Sequence, residues 1–175
     1  MENNVLNLLK ERRTIRQFTN KKVSKEIINQ ILKAGLLAPS SKNKKPVEFI
    51  VVENKEILLK LKECKSKGAE ALNVAPCAIV IIADSELSDV WIEDASIATI
   101  LLQLAIEDLG LGSVWIQMRK RESNLGNSEV QIRELLNIPE NYGVLTVIAL
   151  GYKDEYKEAY DENGLDFAKV HNEIY

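Results

Sequence analysis

Glu11-Arg12-Arg13-Thr14-Ile15-Arg16-Gln17-Phe18 and, twenty residues on, Ala38-Pro39-Ser40-Ser41-Lys42-Asn43-Lys44-Lys45-Pro46 are the two most informative stretches of the chain. The first puts three arginines and a hydroxyl within five residues, just after a short amphipathic stretch. The second puts two serines, an asparagine and three lysines into a loop that follows a helical pattern. Guanidinium forks match phosphate oxygens, and Ser, Thr and Asn add neutral hydrogen bonds to a polar ligand. Together they read as two walls of an anion-binding pocket. Each also has a plainer reading: surface arginines pairing with Glu11 or other carboxylates, and a helix stop followed by a polar turn.

Outward from these stretches the hydrophobic pattern alternates between helix and strand. Val5, Leu6, Leu8 and Leu9 predict a short first helix that ends at the arginines. Ser24 reads as the N-cap of a second helix whose apolar positions, Ile27, Ile28, Ile31, Leu32, Gly35 and Leu36, recur at three and four; Pro39 stops it. Val47 to Val52 is a β-branched run and reads as a strand. Asn54 caps a helix carrying Ile57, Leu58 and Leu61. Ala78 to Ala83 is a continuous apolar run of strand length, the pattern of a strand buried on both faces. A helix from about Trp91 to Leu109 follows, with Gly110 suited to its C-terminal cap. Ser113 to Gln117 reads as a strand, and Ser128 with Gln131 as a capping box before Val130, Ile132, Leu135 and Leu136. Val144 to Leu150 is the last strand, and the polar tail holds a weak helical stretch around Leu165 to His171. The helix from Trp91 is apolar almost all round, so it should be buried on most faces, within a monomeric core or against a partner subunit.

The 175 residues, 46% hydrophobic, suffice for one domain with a core. A net charge of −3 gives no general pull toward nucleic acid or anionic membrane. No apolar run approaches the roughly 18 residues of a membrane span, and no signal-like segment opens the chain, so the expectation is a cytoplasmic protein. Cys64 and Cys77 match no metal or redox spacing, which suits a reducing cytosol. Cys77 opens an apolar run and reads as buried packing; Cys64, on a Lys-rich helical stretch, reads as a spectator. His171 is the only histidine, so no His-based metal site or Ser-His-Asp arrangement is available. Trp91, Trp115, Phe18, Phe49 and Tyr142 are candidates to flank a planar ring, each with core packing as the plainer reading.

The order of these segments resembles the nitroreductase family of flavin enzymes. That family carries Arg-Arg-Ser-(Ile/Val)-Arg-x-(Phe/Tyr) near its start and Ala-Pro-Ser-x-x-Asn-x-Gln-Pro-Trp about twenty residues later. Further similarities follow in the same order: Glu93-Asp94-Ala95-Ser96 opening the long helix, Leu109-Gly110-Leu111-Gly112-Ser113-Val114-Trp115, Ile138-Pro139-Glu140, Ala149-Leu150-Gly151-Tyr152, and Lys169-Val170-His171. The resemblance implies an α+β fold, a three-layer α/β/α sandwich with a mainly antiparallel central sheet, formed by residues 1–175 as a single domain. It implies a homodimer with FMN at the subunit interface and a tail, about 153–175, that wraps the partner. It also implies ping-pong chemistry without a catalytic side chain: hydride passes from NADH or NADPH to flavin N5, then electrons pass to a nitroaromatic, quinone or similar acceptor.

By the same resemblance Arg12, Arg13, Thr14 and Arg16 bind FMN from one subunit, and Pro39, Ser40, Ser41, Asn43 and Lys45 from the other. A backbone donor to N5 falls within Val114 to Met118, around Trp115 and Ile116. No metal is implied. The chain departs from the pattern in several places. Lys45 and Val47 replace Gln and Trp, and a cation at Lys45 near the N1–C2=O2 edge would favour the reduced anionic ring. Ile100 and Leu101 stand where a polar pair is usual. The stretch after Tyr152 is acidic (Asp154, Glu155, Glu158, Asp161, Glu162), leaving Lys153, Lys157 or Lys169 to grip the phosphate. The chain is also short, so a lid over the site is in question. Gly110-Leu111-Gly112 follows a helix, not a strand, which is the wrong context for a dinucleotide turn; it reads as a helix stop and tight turn that lets a backbone approach the flavin closely. Three rivals stand beside this reading: a family member specialised for another flavin reaction, a non-catalytic FMN carrier or sensor, and a basic loop of Lys42, Lys44 and Lys45 that binds another anion.

Overall fold

The strand β2 (Cys77–Asp84) organises the molecule: its first seven residues are all buried. The computed structural model describes residues 4–175; Met1 to Asn3, where the polar start of the chain lies, fall outside the described residues. β2 is paired on both edges, by β1 (Val47–Val52) and by β6 (Tyr142–Gly151), and β6 carries β3 (Gly112–Gln117) on its far side. The order is β1-β2-β6-β3, with every pairing antiparallel.

Successive side chains of a strand face opposite ways, so the sheet feeds two cores. Ala78, Val80 and Ile82 of β2 join Leu58, Leu61 and Ile132, from α3 (Lys55–Glu63) and α5 (Ser128–Leu136). Ile79 and Ile81 join Ile28, Ile31, Ala95, Leu102 and Ile106, from α2 (Lys25–Leu36) and α4 (Trp91–Asp108). The helix α1 (Asn4–Glu11) lies against α4. This is the expected three-layer sandwich. A register shift at Ile81/Ile82 puts an extra residue into β6, which keeps Val144 and Val147 on one face and Leu145 and Ile148 on the other.

Caps set the helix boundaries. Ser24 accepts from the Ile27 N–H at 3.3 Å, and Asn54 from the Glu56 and Ile57 N–H groups. α2 ends at Leu36 with Leu37 as its cap, so Pro39 lies beyond the stop and does not make it. Gly110, at φ 75°, turns the chain after α4. The capping box expected at Ser128 and Gln131 is not formed. Asn127 is the cap, accepting from Glu129 and Val130, while the Ser128 hydroxyl is buried without a partner. Gln131 instead bonds Ser123 and the Gly126 carbonyl, tying down a small hairpin of β4 (Glu122–Ser123) and β5 (Gly126–Asn127). Cys64, which follows the Lys-rich α3, is 5% exposed and packs in the core.

α4 is buried along one stripe only. Asp94, Ala95, Ala98, Thr99, Leu102, Gln103 and Ile106 face inward, whereas Ile97 and Ile100 are exposed. Ile97 and Ile100 therefore put apolar surface on the opposite stripe. The tail forms two single turns, Glu162–Gly164 and Phe167–Lys169, in place of the expected weak helix.

Candidate functional site

Arg12 to Phe18 leaves α1 and runs along the free edge of β3. The Ile15 N–H donates to the Ser113 carbonyl at 3.0 Å, and Thr14 forms a parallel bridge with Ser113. Ile15 and Phe18 sink into the core on the α3 side of the sheet and fix the backbone between them. Gly112 makes this approach possible, since a Cβ there would stand 2.7 Å from the Ile15 Cβ. The close neighbour at this glycine is thus the arginine segment's own Ile15.

The three arginines separate in role. The Arg13 guanidinium turns to the tail, donating to the Glu158 carbonyl and standing 4.4 Å over the Tyr160 ring. The ion pairs among the described residues use Lys10, Lys153, Lys157 and Lys169, and none uses Arg12 or Arg16. Two guanidinium groups four residues apart thus stand without a carboxylate partner, with Thr14 between them. Arg12 to Arg16 is a donor-rich strip suited to a phosphate.

β3 supplies the adjoining edge. Ser113 turns its carbonyl outward to Ile15, while the Ile116 carbonyl accepts the Thr146 hydroxyl at 2.8 Å and the Met118 N–H reaches Leu145 across the sheet. With a period of two, the backbone of Trp115 faces the open edge and that of Ile116 faces β6. The Ile116 side chain is in the core, so neither half of that residue is presented to a ligand. Gln103 of α4, buried, donates to the Ser113 hydroxyl at 3.2 Å. The buried amide of the long helix is therefore here, just beyond the apolar Ile100 and Leu101.

The second loop sits elsewhere. Ser41 donates its N–H to Asp94 at 2.8 Å, and the other Asp94 oxygen accepts from Ser88 at 2.9 Å. Lys42, Asn43 and Lys45 all have φ near +50° (50°, 54° and 53°), a region that non-glycine residues rarely enter. Such strain gathers where a chain is shaped for a ligand. Ser40 accepts the Lys45 N–H at 2.8 Å, and the Lys45 ammonium folds back onto the Ala38 carbonyl at 2.7 Å. Pro39, Ser40, Lys45 and Val47 line a cavity of about 310 Å³.

The two walls attach to different parts of α4. Asp94 anchors the loop at the start of the helix, while nearer its end Gln103 bonds Ser113, whose carbonyl holds Ile15, and Glu107 pairs with Lys153. The thirteen steps from Asp94 to Glu107 rise about 20 Å along the helix. A second cavity, about 360 Å³, lies beneath the tail between Arg13, Ile15, Glu107, Lys153, Glu155 and Lys157; Arg12, Thr14 and Arg16 do not line it.

The acidic stretch after Tyr152 turns its charge on the backbone. Glu155 accepts the N–H groups of Arg16 and Gln17, which hold its carboxyl below the ordinary range, Arg16 most of all. Lys157 donates to the Thr14 carbonyl, and Lys169 pairs only with Asp166, at 3.9 Å. Asp94 stood in the sequence only within the Glu93-Asp94-Ala95-Ser96 similarity and Glu155 only within the acidic stretch, and Gln103 was not singled out; each works through a backbone or hydroxyl contact that only the fold creates. The aromatic candidates are occupied: Phe18 is in the core, Phe49 lies against Gly35, Trp91 against Gly143, Tyr142 donates to Glu48 at 2.6 Å, and Trp115 to Gln117 at 2.8 Å. Among the described residues there is no cluster of metal-binding side chains and no helix long and apolar enough to cross a membrane.

Known proteins share this fold. The FMN-dependent nitroreductase of Clostridium difficile R20291 superimposes with a TM-score of 0.94 at 49% identity, covering 97% of this chain and 99% of that one. The NADPH:FMN oxidoreductase of Vibrio harveyi, solved with NAD+, superimposes with a TM-score of 0.84 at 28% identity, over 99% and 78%. A protein of Archaeoglobus fulgidus carrying a provisional "NADH dehydrogenase/NAD(P)H nitroreductase" name is 40% identical over 173 residues, 96% of this chain and 97% of its own. The model of the nitroreductase family matches residues 9–68 and 60–152, and with that relative alike along almost its whole length, the chain belongs to the nitroreductase family.

Proposed function

We propose that this protein is an FMN-dependent NAD(P)H oxidoreductase that works as a homodimer. The observation that carries the reading is the pair of guanidinium groups, Arg12 and Arg16, left without carboxylate partners beside Thr14 on the open edge of β3. This fits the phosphate and polyol of FMN, which bring acceptors to a strip of donors. Arg12 and Arg16 hold the phosphate, Thr14 the chain, and the edge-facing backbone of Trp115 meets the ring. Arg13 contributes through its backbone, its side chain being committed to the tail.

Pro39, Ser40, Ser41 and Asn43 complete the site from the other subunit, with Lys45 behind them in the same loop. Asp94 anchors one wall at the start of α4 and Gln103 bonds the β3 side of the other nearer its end, and two copies related by a twofold axis, with α4 against α4, bring each wall to its complement. The exposed stripe of Ile97 and Ile100, and the exposed Phe167, Val170 and Ile174 of the tail, supply apolar surface for that contact. The tail beyond Glu162 wraps the partner.

When bound, FMN supplies the redox chemistry, taking hydride from NADH or NADPH and passing electrons to a nitroaromatic, quinone or similar acceptor in two alternating half-reactions. The chain's part is to bind, orient and exclude water, and no side chain is placed as an acid or base. Two free, buried cysteines suit a reducing compartment, and we assign the protein to the cytoplasm.

The test is the visible spectrum of the purified protein reconstituted with FMN, before and after anaerobic NADH and NADPH. Bleaching by either donor, followed by recovery with a quinone, is the expected result and identifies the donor. Bound flavin that neither nicotinamide bleaches indicates a carrier or sensor instead; no bound flavin overturns the reading.

A further inference from the structure

The tail does not simply leave the sheet. From Tyr152 it runs antiparallel to the segment that carries the arginines: Thr19 donates to the Tyr152 carbonyl at 2.9 Å, Phe18 bridges Lys153, and Asp154 donates to the Gln17 carbonyl at 3.0 Å. Further along, Tyr160 donates to the Lys10 carbonyl at 3.0 Å. Between these points two side chains take over from the backbone. Glu155 receives the N–H groups of Arg16 and Gln17, the latter at 3.2 Å, and Lys157 donates to the Thr14 carbonyl while standing 3.5 Å from the Glu155 carboxylate. A carboxylate beside a phosphate strip opposes an incoming dianion unless its charge is cancelled. Here a cation is held against it, three-quarters buried, and secured at its other side by the backbone of Thr14.

We propose that Glu155 and Lys157 are a charge-balanced positioning pair for the anion-binding segment: the carboxylate shapes the backbone of Arg16 and Gln17, and the ammonium fixes Thr14 and neutralises that carboxylate against the backbone that carries the two unpaired guanidinium groups. The proposal rests on the FMN-binding reading above. It assigns the acidic turn a supporting role, which explains how a chain with acids after Tyr152 keeps its phosphate wall. It also separates this pair from Lys153, which spends its charge on Glu107.

The pair makes a non-additive prediction. Lys157→Met leaves Glu155 as an uncompensated charge and weakens FMN binding by about tenfold; adding Glu155→Gln removes that charge, keeps an acceptor for the two N–H groups, and recovers most of the loss. The measurement is FMN affinity by quenching of flavin fluorescence, for the wild type, both single variants and the double variant, with thermal melting of each flavin-free protein alongside. Recovery in the double variant, with melting points that do not track affinity, is expected. A double variant that binds no better than Lys157→Met overturns the proposal, because Lys157 then grips the phosphate itself or serves only the fold. Should Glu155→Gln lose its cooperative melt, Lys157→Arg against Lys157→Met decides: only the charge-retaining variant keeps affinity, and equal affinity refutes the pair. Failure of the wild type to bind FMN strikes the functional reading, while equal binding by all four proteins strikes this inference alone.

Discussion

The Asp94 carboxylate, at the first turn of α4, accepts the backbone N–H of Ser41 at 2.8 Å and so pins a strained loop to a helix start. A carboxylate is favoured at a helix N-terminus by the helix dipole. With its second oxygen accepting from Ser88, each carboxylate oxygen of the buried Asp94 has a hydrogen-bond donor. Asp94→Ala strands the Ser41 N–H and the Ser88 hydroxyl and should cost roughly 2–4 kcal/mol. Urea unfolding checks the magnitude; a loss below about 1 kcal/mol would mean the loop holds itself.

Arg12→Ala with Arg16→Ala should weaken FMN binding by at least about 3 kcal/mol, from two charged hydrogen bonds of about 1.5–3 kcal/mol each. Arg13→Ala should leave FMN affinity nearly unchanged, because its guanidinium holds Glu158 and Tyr160. Titration of flavin-free protein with FMN separates the two outcomes, and similar losses from both changes would refute the division of roles.

Gly112→Ala drives a methyl group into Ile15, displacing the arginine segment from β3. Overpacking of this kind costs about 1–3 kcal/mol. FMN affinity should fall along with melting temperature, since Ile15 lies between Thr14 and Arg16. A fall in stability with affinity intact would show that the segment re-seats.

Glu155 has a depressed carboxyl pKa, so its bonds to Arg16 and Gln17 stabilise the fold fully above the ordinary value of 4.5. That contribution is lost as pH falls from 4.5 through the lower folded-state value. Melting temperature followed from pH 7 into acid should therefore drop more steeply for the wild type than for Glu155→Gln. Parallel curves would contradict the assignment.

Burial raises the Cys64 thiol to about 11 and the Cys77 thiol to about 12. Neither forms thiolate near neutral pH, and neither is open to reagent. Native protein should thus release no colour with a disulfide reagent at pH 8, and both thiols should react once unfolded. Rapid reaction of one thiol in the native protein would locate an opening of that core.

Much of the secondary structure is legible in local chemistry. Val47–Val52 forms a strand at its expected limits, the apolar run at Ala78–Ala83 lies at the heart of β2, and Ser24, Asn54 and Gly110 mark helix ends through side-chain caps or a left-handed turn. The failures have one origin. Ser128 and Gln131 have capping-box spacing, yet Asn127 takes the cap because the β4–β5 hairpin pulls Gln131 toward Ser123. Cys64 follows a Lys-rich helix whose inner side is the one that faces the core. In each case a contact with a distant residue outweighs the local signal.

Local chemistry along the chain sets the kinds of element and the donor-rich character of two segments, because periodicity, capping and charge are properties of neighbours; the sandwich was implied only by the resemblance that the order of the motifs carries. Only the tertiary structure decided that Arg13 serves the tail while Arg12 and Arg16 stand unpaired, that Glu155 addresses backbone N–H groups, and that the two walls lie at opposite ends of α4. Those are relations between residues some 50 to 140 positions apart. Their geometry is set by the order β1-β2-β6-β3 and by where each segment meets it, and no local pattern encodes that order.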